Sequence, residues 1–429
     1  MKINPREEAV VALYKIENEG AYLGKALQDA VGKCDLRDRG FVNELVMGTV
    51  RNKLYIDFII QSFSKIKLKK LSPWVLSILR IGVYQLVKMD KVPSSAACNE
   101  AVKLASRYAH NAARGYVNGV LRNIARNLDS LPEPQGEITE KLSVLFSMPL
   151  WLTKKLVSQF GADEARSILE DSLVPHNTTV RVNILKTTAK ALVSALDEEG
   201  ISASVSGEEE QCLVIDGAID INKSDAYKNG LYTLQNINSI RAALALNPKK
   251  GETIIDVCAA PGGKTTHIAE LMGDDGKVFA FDVHPHKISL IENAAKRLGI
   301  NSIEARCHNS EEVCDELIGK ADRVLADVPC SGIGVIHKKP DVKYNRKEED
   351  ISVLCGIQAK ILDSASRYVK AGGVLVYSTC TILEEENGAQ IKDFVKRNHE
   401  FEVEFEETYL AHKTGGSGFY ICLLKRKMS

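Results

Sequence analysis

The feature that most constrains this chain is a series of short, almost uninterrupted apolar runs, each ending on a polar or sulfur-bearing residue. Thr253-Ile254-Ile255-Asp256-Val257 leads into a turn of small residues. Val278–Phe281 ends in Asp282, Arg323–Ala326 ends in Asp327, and Gly373–Tyr377 ends in Ser378-Thr379-Cys380. Apolar runs of four to eight residues without polar alternation read as strands buried on both faces. Helical patterns over Thr265–Met272, Lys287–Leu298 and about 348–369 separate them. Strand and helix in alternation predict a parallel, doubly wound α/β sheet with its reactive rim at the carboxyl ends of the strands. Two later runs, Glu402–Phe405 and Phe419–Leu424, predict an antiparallel edge.

The chain up to about Asn127 reads as all helix. Asn4-Pro5 with Glu7 is a helix start, Val42, Leu45 and Val46 share a face, and Ser72-Pro73-Trp74 opens a stripe through Val75, Ile78, Leu79 and Val83. Ser94–Tyr108 and Arg114–Arg126 complete a bundle, with Ile66–Lys70 as a short basic loop. Leu131-Pro132-Glu133-Pro134-Gln135-Gly136 is a break. Beyond it, strands at Thr178–Asn183 and Cys212–Ile215 and a helix at Ala189–Glu199 form a small α/β unit. The expected domains are 1–135, 136–235 and 236–429.

Hydrophobic residues make up 45 % of the 429 and charged residues 26 %, which excludes wholesale disorder. No apolar run reaches the length of a membrane span, and the first residues lack the apolar core of a secretory leader. The ten cysteines form no C-x-x-C pair and no zinc spacing, so a cytoplasmic protein without metal is expected. Lys plus Arg equals Asp plus Glu at 56 each, yet residues 1–135 carry a net +8 and the remainder −8. That asymmetry fits either a polyanion partner for the first third or solvated helix faces rich in lysine.

The turn Cys258-Ala259-Ala260-Pro261-Gly262-Gly263-Lys264 lies between a strand and a helix, where small residues admit a ligand to the backbone and the helix end offers free N–H groups. Asp282 follows 19 residues after Gly263, about where a nucleotide-binding sheet holds a ribose. The pair fits an adenosine-bearing cofactor, or a tight turn with an unrelated carboxylate. Asp327-Val328-Pro329-Cys330 and Ser378-Thr379-Cys380 bring two thiols and a carboxylate to the same rim. A thiolate adding to C6 of cytosine makes C5 nucleophilic toward an electrophilic methyl, and a carboxyl group at the N3/N4 edge stabilises the adduct. The spacing does not say which thiol attacks. His284-Pro285-His286 is not expected to bind metal. Cys307, Cys314 and Cys355 are expected in the core. Lys338-Lys339 and Lys343-Tyr344-Asn345-Arg346 read equally as a phosphate clamp or a solvated loop.

These motifs closely resemble those of the RNA cytosine-C5 methyltransferase family, which uses S-adenosylmethionine on a Rossmann-like fold. The helical part is similar to the RNA-binding fold of the antitermination factor NusB, through Asp38-Arg39, Glu44–Arg51, Leu79–Leu86 and Val117–Arg122. The resemblance implies Cys380 as nucleophile, Cys330 as the cysteine assisting release and Asp327 as the acid beside the base. It implies Cys258 through Lys264, Asp282, Asn309 and Asp327 as cofactor-binding residues. The combination of domains resembles bacterial enzymes that methylate 16S rRNA, implying that RNA as partner and cytosine 967 in the usual rRNA numbering as target, with a monomer expected. Other RNA targets, such as tRNA, and a non-catalytic RNA-binding assembly factor are the alternatives. Three departures stand out: Asn309 in place of the family's Asp, Asn236 and Asn238 where Asp and Ala are preferred, and Ser417 where Asp is common.

Overall fold

The computed structural model describes residues 3–217 and 219–428. The chain divides into two compact units, one comprising residues up to Val174 plus Ile336–Asn345, the other Pro175–Val335 plus the chain from Arg346 onward.

The first unit is helical. Asn4 caps Pro5–Asn18 by accepting from the Arg6 N–H, and Ser72 caps Pro73–Lys88 by accepting from the Val75 N–H. Pro73–Lys88 buries Val75, Ile78, Leu79, Ile81, Val83 and Leu86, which places it at the centre of the bundle. Trp74 is sandwiched between Tyr14 and Tyr108, with ring centroids 3.8 and 4.4 Å away. Gly48 lies under the Tyr84 ring, which leaves no room for a Cβ. Arg80 pairs with both Asp57 and Glu17 at 2.7 and 2.6 Å. The helix predicted from Arg114 begins earlier, at Asn111, and the basic loop holds a short 3₁₀ turn at Leu68–Lys70.

Ile336–Asn345 packs into this helical unit with Lys338 and Lys339 exposed, and only at Lys343 are both readings overturned. Lys343 is fully buried and donates to the Arg51 carbonyl at 3.0 Å, while Arg51 donates to the His337 carbonyl at 3.1 Å. Tyr344 donates to the Ser147 carbonyl at 3.0 Å. Burial pushes the Lys343 ammonium down to about 7, and neighbouring Arg51 adds to the effect. A base depressed in the folded state weakens folding most below its folded pKa, and the penalty fades as pH rises toward the unfolded value. Lys343→Met is therefore expected to stabilise the protein by about 2–3 kcal/mol more at pH 6 than at pH 9 in denaturant titrations.

The second unit carries two sheets. Thr178–Val182 (β1), Ala203–Val205 (β2), Cys212–Ile215 (β3) and Tyr232–Leu234 (β4) form an antiparallel sheet of order β2-β3-β1-β4. The helix Ala189–Glu198 buries Leu192 and Leu196 against Val180, Val182, Leu213 and Ile215. The larger sheet comprises Thr253–Asp256 (β5), Lys277–Asp282 (β6), Ile303–Cys307 (β7), Ala321–Asp327 (β8), Val369–Thr379 (β9), Phe401–Tyr409 (β10) and Phe419–Arg426 (β11). Its order is β10-β11-β9-β8-β5-β6-β7, with β5 to β9 parallel and the last two strands antiparallel, as their sequence patterns predict. Order reverses at β5, so the crevice outside its carboxyl end is the expected ligand position. The central strands are buried on both sides between separate apolar clusters. No helix of the described residues is long and apolar enough to cross a membrane.

Candidate active site

The turn after β5 is built by its own strand. Asp256 accepts from the Cys258 N–H at 3.3 Å and from the Thr265 hydroxyl at 2.7 Å, tying the start of the loop to the helix Gly263–Leu271. Burial pushes the Asp256 carboxyl up to about 7; the Thr265 hydrogen bond opposes this and the charge of Asp327 adds to it. Ala259 donates to the Phe281 carbonyl at 2.8 Å, and the Ala260–Pro261 bond is cis. Gly262, at φ +103°, caps the helix in a conformation that side chains rarely adopt, and a Cβ there would sit 3.2 Å from Ile291 Cα. Sequence reasoning missed Asp256 as a support, although its place at a strand end was visible.

A cavity of about 430 Å³ opens beside this loop. It gathers Cys258, Ala260, Asp282, Asn309, Asp327, Cys330 and Cys380 from among the expected site residues. Asp282 accepts from the His284 N–H at 3.0 Å, and His284 leads into the helix Pro285–Leu298. Asn309 Oδ1 accepts from the Glu311 N–H at 3.2 Å, which fixes the side chain in the loop after β7. Ala259, Pro261, Gly263 and Lys264 border a second, smaller space.

The register of β8 against β9 sets Asp327 opposite Ser378. Ser378 Oγ donates to Asp327 Oδ1 at 2.7 Å, and Lys264 Nζ binds Oδ2 at 2.6 Å. Burial disfavours the Lys264 ammonium, but Asp327 outweighs it and holds the group above its usual range. Just beyond these strand ends, Cys330 Sγ and Cys380 Sγ lie 3.2 Å apart, neither of them in a disulfide. The hydrogen bond to Cys380, reinforced by burial, pushes the Cys330 thiol well up. Unperturbed thiols are mostly protonated at neutral pH, and nearby positive charge favours the thiolate.

The cysteine loop is pinned by residues the sequence did not single out. Ser331 donates from its N–H and hydroxyl to fully buried Glu386 at 2.8 and 2.5 Å, and Gln358 bridges Glu386 and the Pro329 carbonyl. Arg346 donates to the Ser331 carbonyl at 3.1 Å and so serves this loop. Cys307 is exposed and Cys314 and Cys355 only partly buried, contrary to the expectation of core cysteines. Cys314 flanks the apolar cluster of the large sheet, while Cys307 and Cys355 turn their sulfurs to the carbonyls of Val283 and Glu385. The departures at Asn236, Asn238 and Ser417 meet in space: Asn236 Nδ2 reaches Ser417 Oγ at 3.1 Å, and Asn238 Nδ2 reaches the Ser417 carbonyl at 2.7 Å. Only neutral groups meet here, and each amide finds a partner.

Residues 243–424 match the family 16S rRNA methyltransferase RsmB/F, residues 3–126 the NusB family, and residues 148–222 the ferredoxin-like domain of RsmF/B-like methyltransferases. The chain is 36 % identical to the probable ribosomal RNA small subunit methyltransferase B of Bacillus subtilis (strain 168), over 99 % of both chains. It is 33 % identical to the protein of the same description from Synechocystis sp. (strain ATCC 27184 / PCC 6803 / Kazusa), over 99 % of this chain and all of that one. The solved structure of PH0851 superposes with a TM-score of 0.84 at 28 % identity, covering 99 % of this chain and all of that one. The chain therefore belongs to the ribosomal RNA small subunit methyltransferase B family, whose members are S-adenosylmethionine-dependent RNA methyltransferases.

Proposed function

We propose that this protein methylates C5 of one cytidine in 16S rRNA, cytosine 967 in the usual rRNA numbering, through a covalent bond from Cys380. The observation that carries this reading is the pair of sulfurs 3.2 Å apart, on residues lining a cavity also lined by Asp327, itself fixed by Lys264 and Ser378.

The residues present fit S-adenosylmethionine. Asp282 and Asn309 stand at the ends of adjacent strands to hold ribose and adenine, and the Cys258–Lys264 turn offers helix N–H groups to the rest of the molecule. Bound there, the cofactor supplies the methyl group. Cys380 Sγ adds to C6 of the flipped base and gives C5 its nucleophilic character. The Lys264 charge interacts with the Cys380 sulfur and the Cys330 thiol lies 3.2 Å from it, and a nearby cation and a hydrogen-bond donor are what a thiolate nucleophile requires. Asp327 hydrogen-bonds the N3/N4 edge. After methyl transfer a water molecule takes the C5 proton, the electron pair of that C–H bond re-forms the C5–C6 double bond, and Cys380 leaves C6 as a thiolate, with the protonated Cys330 thiol beside it to hydrogen-bond the departing sulfur.

In this reading the helical domain 1–135 binds RNA phosphates, the segment 136–235 links it to the catalytic domain 236–429, and the protein acts as a cytoplasmic monomer. Purified protein, S-adenosylmethionine and 16S rRNA are expected to yield one 5-methylcytosine by bisulfite mapping, with activity surviving a metal chelator and falling with added salt. Modification of tRNA alone, or loss of activity on chelation with recovery on zinc, refutes the proposal. So does the absence of binding heat with S-adenosylmethionine, which is what an assembly factor with a decayed cofactor site would give.

A further inference from the structure

The smaller cavity, about 210 Å³, is bordered by Gln235, Asn236, Ser239, Lys264 and Asp327 along with the cofactor turn. Cys258, Ala260 and Asp327 border both spaces, so the two adjoin along that turn. Gln235 is only 8 % exposed, and its Oε1 accepts from Arg181 Nη1. A guanidinium has no acceptor, so the oxygen end of the amide is fixed. Arg181 cannot turn away: its Nε and Nη2 bind both oxygens of Glu270, Nη2 also binds Thr266 Oγ1, and Nη1 also binds the Gly263 carbonyl. The other end of the amide, Nε2, is a buried donor with no partner among the described residues. Such a donor is costly unless a ligand satisfies it.

We propose that Gln235 Nε2 binds the carboxylate at the amino-acid end of S-adenosylmethionine. The inference rests on the reading that the nucleoside end lies at Asp282 and Asn309. What remains of the cofactor is then an amino-acid zwitterion directed along the turn. The smaller cavity matches it: Gln235, Lys264 and the N-terminus of the helix Gly263–Leu271 present donors to a carboxylate, and Asp327 presents an acceptor to an ammonium. Asn236 is less suited, since Oδ1 accepts from the Asn238 N–H and Nδ2 is engaged by Ser417. The small antiparallel sheet, through Arg181, thereby sets the affinity of the neighbouring cofactor site.

Calorimetry on the full-length protein separates the two ends of the ligand. S-adenosylhomocysteine carries the amino acid; 5′-methylthioadenosine keeps the nucleoside and lacks it. Gln235→Met is expected to weaken S-adenosylhomocysteine about tenfold and leave 5′-methylthioadenosine unchanged. Gln235→Glu keeps the acceptor for Arg181 but opposes the carboxylate, so a loss of about a hundredfold is expected with an unchanged thermal midpoint. Unchanged S-adenosylhomocysteine affinity in both variants, equal losses for the two ligands, or a defect confined to RNA binding overturns the proposal. Failure of the unmutated protein to bind either ligand instead overturns the cofactor reading beneath it.

Discussion

Replacing Cys380 with alanine is expected to reduce methyl transfer by about 10⁴-fold or more, because the proposed mechanism gives that sulfur the bond to C6. Replacing Cys330 with alanine is expected to give a different defect. The adduct forms, but the step that frees Cys380 is slowed, and protein accumulates on RNA as a slow-migrating band in a denaturing gel. The 3.2 Å contact and the raised Cys330 thiol give the physical basis for this division. In the proposed mechanism the raised Cys330 thiol keeps its proton and hydrogen-bonds the attacking sulfur. A trapped band with Cys380→Ala and none with Cys330→Ala would reverse the assignment of roles.

The largest stability loss is expected at Arg181, which the catalytic reading did not involve. Arg181 and Glu270 are both fully buried and paired at 2.7 Å. Removing one partner leaves an unpaired buried charge, so Arg181→Leu should cost about 3–5 kcal/mol in urea unfolding. Burial raises the Glu270 carboxyl and Arg181 pulls it back. Without Arg181 the folded state holds the Glu270 proton to higher pH, so the variant regains stability as pH falls from 7 toward 5. The double substitution Arg181→Leu with Glu270→Leu should be less destabilised than Arg181→Leu alone. If the double variant is worse than the single, the penalty comes from lost packing and the electrostatic account is wrong.

The strands, their order of appearance and the chemistry at their ends were legible in the sequence for a local reason. Four buried strands record their burial as continuous apolar runs, and the chain must turn where each run stops. Asp282, Asp327 and Cys380 therefore fall at a common rim from the pattern of the runs alone. Their motif letters carried the resemblance that named a family, cofactor and nucleophile. The antiparallel edge from β10 and β11 was legible in the same way.

Only the tertiary structure decided which polar groups would meet. The Ser378–Asp327 hydrogen bond exists because β9 lies beside β8, and strand order is not written in either strand. Glu386 looks like one of three consecutive acids in a solvated turn, yet it is fully buried under the cysteine loop. Lys343 carries the pattern of a surface lysine and ends inside a helical bundle. Arg181 sits at an ordinary strand position, and only the packing of its sheet against the helix Gly263–Leu271 gives it Glu270 and Gln235 as partners. Periodicity reports which face of an element avoids water. It carries no information about the element on the other side of that face, and hydrogen-bond partners and buried charges are set there.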